Sequence, residues 1–161
     1  MIEHTLAIIK PDAVASGHTG EIIGLVEKNG FSIDRMEKGA ISEEYAAAFY
    51  DMHKEKPFFK ELVTFLASGP VVVMALRKEN AIADWRTLMG ATNPEQAAPG
   101  TLRKLFGTNI GKNAVHGSDA PESAARELML FFGGSQPEKD CENCECKDTC
   151  DCNDSCCKDC K

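Results

Sequence analysis

His116 is followed by Gly117-Ser118-Asp119, and the apolar spacing beyond predicts a helix over Ala120–Phe132. The amides of a helix N-terminus can bind an anion, because they are unpaired and the helix dipole favours negative charge there. An imidazole beside such a site, with Glu127 two turns along the same helix, is a nucleophile with an orienting partner. The neutral ring would attack phosphorus through one nitrogen. A carboxylate on the other nitrogen would fix the tautomer and stabilise the cationic product. Glu127 shares its helix face with Ala120, Ala124 and Phe131, where core is expected. A carboxylate there needs a partner or a proton, so the face holds either a structural ion pair or a site.

Other polar residues stand where apolar ones are expected. On a helix predicted over Ser42–Lys54, with Ala46 and Phe49, Tyr50 and His53 point the same way. On one over Glu79–Met89, Arg86 aligns with Ile82 and Met89, which places a guanidinium fork at the core edge. Such forks suit phosphate, and they also snorkel over apolar faces. Lys10 ends a strand at Pro11-Asp12, where the sheet opens to a pocket or to solvent. Thr92–Asn113 reads as a long loop holding Thr92, Arg103, Lys104, Lys112 and Asn113, all donors suited to phosphate. Gly107–Lys112 is not a P-loop: it is one residue short between its glycines and lacks the final Ser or Thr.

The elements that must position these groups follow from patterning. With 161 residues and 43% hydrophobic content, the chain is long enough to bury one ordinary core. A net charge of −7 argues against nucleic acid or anionic membrane as the main partner. No apolar run is long enough to span a bilayer, and the N-terminus lacks the pattern of a signal peptide. A cytoplasmic protein is expected. Thr5–Ile9, Phe31–Met36 and Val71–Leu76 read as strands, with Ala114–His116 a short fourth. Glu21–Lys28 and Pro57–Ala67 join the helices above, and Asp119 is the expected cap of the last one. The order β-α-β-αα-β-α-loop-β-α suggests an α+β, ferredoxin-like fold, a four-stranded antiparallel sheet with covering helices on one face.

Two domains of unequal kind are expected, residues 1–134 and 135–161. The second zone holds all eight cysteines and no large apolar residue, and its eight acidic residues outnumber four lysines. It is expected to be disordered, or ordered only by metal.

In order along the chain, Lys10-Pro11-Asp12-Ala13, Tyr50-x-x-His53 with Pro57-Phe58-Phe59, and Gly90-Ala91-Thr92-Asn93-Pro94 occur. Pro99-Gly100-Thr101-Leu102-Arg103 and Asn113-x-x-His116-Gly117-Ser118-Asp119 follow, then Glu122-Ser123-Ala124 and Glu127. This set, over about residues 3–132, resembles the nucleoside diphosphate kinases. Lys56 and Lys104-Leu105 depart from the family pattern. The resemblance implies that His116 takes a γ-phosphate, usually from ATP, and passes it to a nucleoside diphosphate. It implies that Glu127, braced by Ser118, orients His116, and that Lys10 and Tyr50 contact the transferred group. His53, Arg86, Thr92 and Arg103 would hold the other phosphates. Lys10 and Asn113 would contact the sugar, and Phe58 would stack on the base. Mg²⁺ would come with the nucleotide, and the chain would assemble as a homo-hexamer or homo-tetramer. His4 and His18 match nothing in the pattern and read as surface residues.

The cysteines, Cys141, Cys144, Cys146, Cys150, Cys152, Cys156, Cys157 and Cys160, resemble the thiolate clusters of metallothioneins. Such thiolates favour soft ions such as Zn²⁺ or Cu⁺. A metal buffer carried on a folded domain, and a nucleotide-binding regulator, are the rival classes. The intact Lys10, His116 and Glu127 favour an enzyme.

Overall fold

The computed structural model describes residues 1–133. The segment 135–161, with its cysteines and its expected order or disorder, lies outside the described residues. Four strands, β1 (Ile2–Ile9), β2 (Ser32–Ala40), β3 (Pro70–Glu79) and β4 (Val115–Gly117), form one antiparallel sheet in the order β2-β3-β1-β4. Seven helices accompany them: α1 (Pro11–Ala15), α2 (Thr19–Lys28), α3 (Glu43–Phe49), α4 (Phe59–Leu66), α5 (Ala81–Met89), α6 (Leu102–Phe106) and α7 (Pro121–Phe132).

The central pair explains the continuous apolar runs. Leu6 pairs with Ala75 and Ile8 with Val73, and these face one core with Ala46, Phe49, Leu66 and Phe132. Ala7 pairs with Met74 and Ile9 with Val72, and these face a second core with Ile22, Val26 and Trp85. Helices therefore cover both faces of the sheet, not one as expected. Strands apolar on both faces show no alternation, so the pattern could not reveal the second layer.

Several boundaries move for local reasons. The helix expected over Ser42–Lys54 stops at Phe49, and a 3₁₀ turn over Asp51–His53 follows. Glu79 ends β3 instead of opening a helix, and left-handed Asn80 makes the corner into α5. The expected loop Thr92–Asn113 contains α6, which is too short to show helical period. α1 was likewise hidden, although Pro11 is well placed to start it, with its fixed φ and missing N–H. Asp119 does not cap α7. Ala120 holds that position without a side-chain bond, and Asp119 accepts from the Ser123 hydroxyl at 2.6 Å. β2, an edge strand like β4, is mostly exposed and is bulged between Ile33 and Arg35.

Candidate active site

The register of β4 decides which way its side chains point. His116 stands opposite Ile8 and Val115 opposite Ile9, so the imidazole faces the core that holds Phe49. The Phe49 ring meets it edge-on at 5.0 Å between centroids, and Tyr50 lies at 6.4 Å. α7 lies over the same face and brings Glu127, 3% exposed, to the ring. Glu127 Oε1 is 3.5 Å from His116 Nε2, and its Oε2 accepts from the Ser118 hydroxyl at 2.6 Å. Ser118 Oγ in turn accepts from the Leu6 amide of β1 at 3.3 Å. The carboxylate is thus fixed through Ser118 to the central sheet. The approach to Nε2 is longer than a formed hydrogen bond, as in many sites that tighten only with substrate. Nε2 is therefore buried without a formed hydrogen bond, with the Glu127 carboxylate beside it. Burial of the ring, opposed by Glu127, holds the His116 pKa below its ordinary value, which favours the neutral imidazole.

Other backbone contacts lock β4. The Trp85 indole of α5 donates to the His116 carbonyl at 3.3 Å. A Cβ at position 117 would overlap the Trp85 indole, so only glycine fits beside it. Arg103 of α6 donates to the carbonyls of Gly90 and Val115 at 3.0 and 3.1 Å, while its Nε is buried without a partner. Burial, with repulsion from Arg86, lowers the Arg103 pKa.

Lys10, 5% exposed, donates from Nζ to Asn113 Oδ1 at 2.8 Å, and Asn113 Nδ2 donates to the Thr92 carbonyl at 3.1 Å. Desolvation, aided by Arg103 and opposed by Asp12, lowers the Lys10 pKa to about 8. Tyr50 is buried, and desolvation with the nearby Glu127 charge raises its pKa. The hydroxyl therefore stays protonated as a donor.

The sequence-based candidates fall into two groups. His116, Glu127, Ser118, Tyr50, Lys10, Asn113 and Arg103 converge around β4. His53 and Phe58 continue outward as a row of rings, Tyr50–His53 and His53–Phe58 each at 6.3 Å, with Phe58 46% exposed. Arg86 is exposed on α5 and lines an open cleft with Glu3 and Asp119. Thr92 reaches the cluster through its carbonyl, and its side chain is exposed. His4 and His18 are partly buried and partnered, by Asp34 at 3.1 Å and Glu21 at 3.2 Å. Phe49 and Asp12, named in the sequence only as a helix-face neighbour and a motif member, belong to the site's frame, and so does Trp85, which did not stand out in the sequence. Gly117 beside the histidine was the one trace of Trp85.

Together these groups can present a neutral imidazole nitrogen to an electrophile, amid cations and a phenol suited to spread negative charge. Among the described residues no three His, Cys, Asp or Glu side chains gather to hold a metal ion. No helix among them is long and apolar enough to cross a membrane.

A family model described as nucleoside diphosphate kinase matches residues 3–136. The nucleoside diphosphate kinase of Syntrophotalea carbinolica is 59% identical over 133 residues, spanning 83% of this chain and 97% of its own. That of Chlamydia trachomatis serovar L2 is 56% identical over 135 residues, spanning 84% and 96%. A crystal structure of the Aquifex aeolicus nucleoside diphosphate kinase superposes with a TM-score of 0.82 at 44% identity, over 83% of this chain and 97% of that one. The apo Encephalitozoon cuniculi enzyme superposes at 0.81 with 35% identity, over 84% and 92%.

Proposed function

The chain belongs to the nucleoside diphosphate kinase family, and from that premise we propose a two-step transfer through His116. It is a phosphotransferase. In the first step the Nδ1 lone pair attacks the γ-phosphorus of a nucleoside triphosphate, usually ATP. The bond to the bridging oxygen breaks, and the diphosphate leaves with the electron pair. In the second step a terminal oxygen of another nucleoside diphosphate attacks the phosphorus, and the P–N bond returns its pair to the ring. Nε2 keeps its proton toward Glu127 throughout, so the carboxylate meets the positive charge of the phosphorylated ring.

The observation that carries this reading is the asymmetry of the His116 ring. Nε2 faces a carboxylate fixed to the sheet at 3.5 Å, not yet a formed hydrogen bond, and this leaves Nδ1 as the attacking atom. Lys10 and the Tyr50 hydroxyl would contact the moving phosphoryl group, and Ser118 would hold Glu127. His53, Arg86, Thr92 and Arg103 would bind the remaining phosphates. Lys10 and Asn113 would reach the sugar hydroxyls, and exposed Phe58 would stack on the base with little selectivity. Mg²⁺ would arrive as part of the substrate, because it binds chiefly through phosphates and water and needs few protein ligands. It would neutralise phosphate charge.

Incubation with γ-labelled ATP tests the proposal. The label should be acid-labile and base-stable, and a diphosphate should remove it. His116→Ala should take up none. Glu127→Gln keeps the shape without the charge and should label more slowly, by on the order of 10- to 10⁴-fold. Full transfer by His116→Ala would end the reading.

We also propose that residues 1–134 form the kinase domain and that residues 135–161 bind soft metal through the eight cysteines, on the strength of their spacing alone. Assembly as a homo-hexamer or homo-tetramer and a cytoplasmic location complete the proposal. Light scattering tests the first and fractionation the second.

A further inference from the structure

Ala114 links Asn113, the partner of Lys10, to the strand that carries His116. It is a buried alanine with φ of +68°, a left-handed conformation that strains any residue with a Cβ and persists only where its surroundings impose it. The Val115 amide donates back to the Asn113 carbonyl at 2.8 Å, so the chain makes a γ-turn here. Both polar backbone atoms of Ala114 are held by one short segment. Its carbonyl accepts from the Lys10 amide at 2.8 Å, and its amide donates to Asp12 Oδ2 at 3.0 Å. Pro11 starts α1 between them, so Lys10 and Asp12 are set at a fixed separation. The turn directs the Asn113 side chain to Lys10 Nζ and sends Val115 and His116 into register with Ile9 and Ile8.

We propose that Asp12 is a positioning residue for phosphoryl transfer: its carboxylate latches the strained Ala114 turn, which aims Asn113 and His116 at the same site. Beside its through-space attraction to Lys10, Asp12 acts through the Ala114 backbone and touches no substrate. The proposal rests on the His116 reading for its catalytic consequence, and the latch itself is a matter of backbone geometry.

Two measurements separate these. Amide hydrogen exchange reads the latch whatever the reaction is. In Asp12→Ala the Ala114 amide should lose protection while the amides of β1 and β3 keep theirs. In Asp12→Asn, which retains an acceptor oxygen, it should stay largely protected. Transfer kinetics read the consequence. Asp12→Ala should lose on the order of 10²-fold in kcat, the scale of a small misplacement of reacting groups, and Asp12→Asn should recover most of it. Glycine tolerates positive φ without strain, so Ala114→Gly should lessen the need for the latch. Asp12→Ala should then cost less in an Ala114→Gly background than in the parent chain. Unchanged exchange at Ala114, or the same cost in both backgrounds, would overturn the proposal. A parent protein that fails to label on His116 would instead sink the functional reading and leave the exchange result to decide the latch.

Discussion

At the scale of single residues, burial tunes two groups toward opposite demands. In the proposed transfer His116 attacks as the neutral ring, and desolvation lowers its pKa below the ordinary value. In the same proposal Lys10 meets phosphate as a cation, and desolvation lowers its pKa to about 8. Both shifts move toward lower pH, so kcat/KM, which reports the free enzyme, should show two limbs. The acid limb should fall below the pKa of ordinary histidine, as the ring gains its proton. The alkaline limb should turn down as pH rises through about 8, as Lys10 loses its proton. Arginine stays charged across this range but fits the pocket differently. Lys10→Arg should therefore be slower and should lack the alkaline limb. A wild-type profile flat to pH 10 would show that Lys10 charge is not required. The side chains of the site were legible because His116, Glu127, Lys10 and Tyr50 sit in motifs or interrupt apolar stripes. Asp12 and Ala114 also sit in those motifs, but their roles, like that of Trp85, were hidden, because they work through backbone atoms, and residue type does not say where a backbone N–H or carbonyl will point.

At the scale of elements, the site depends on holding a three-residue strand and a twelve-residue helix in mutual register. α7 is pinned beyond its apolar face. Arg126 donates to the Phe49 carbonyl at the end of α3, Tyr45 donates to the Leu130 carbonyl, and Arg35 of β2 donates to that of Phe132. β4 is too short to hold itself and relies on β1 at one side and on Trp85 and Arg103 through its carbonyls. Gly117→Ala tests that dependence, since the new methyl would overlap the indole. Overpacking of this kind costs about 1–3 kcal/mol. The variant should unfold at lower denaturant, and its His116 labelling should slow because β4 must shift. A variant as stable and as fast as the parent would mean that Trp85 swings aside at no cost. The long elements were readable, β1 and β3 as continuous apolar runs and α7 from its apolar period. α1 and α6, five residues each, were not, because one turn and a half shows no repeat. The two-sided covering of the sheet was hidden for a different reason: strands buried on both faces lose the alternation that would mark each face.

At the scale of the whole molecule, the question is how the region from 1 to 134 relates to the segment after it. Every candidate catalytic side chain lies before residue 128, and every cysteine lies after residue 140. The family match ends at residue 136, so the cysteine segment lies beyond what the relatives share. From Gln136 onward the chain has no large apolar residue with which to pack on the sheet or its helices. Any order it gains should therefore come from metal, whose binding to thiolates is coupled to folding. Zinc sites in small peptides bind with roughly 10–16 kcal/mol near neutral pH. Fixing a backbone costs about 1–2 kcal/mol per residue. One such site could thus order on the order of ten residues, and eight thiolates suffice for two unbridged tetrahedral sites. A chain ending at Gly134 should keep phosphoryl transfer within about twofold and carry no soft metal. The intact chain, purified reduced and loaded with Zn²⁺, should carry two or more ions per subunit by metal analysis. Equal metal in the two proteins would refute the cluster. Loss of transfer on truncation, with the core still folded by circular dichroism, would refute the independence of the two regions and tie the acidic segment to the kinase site.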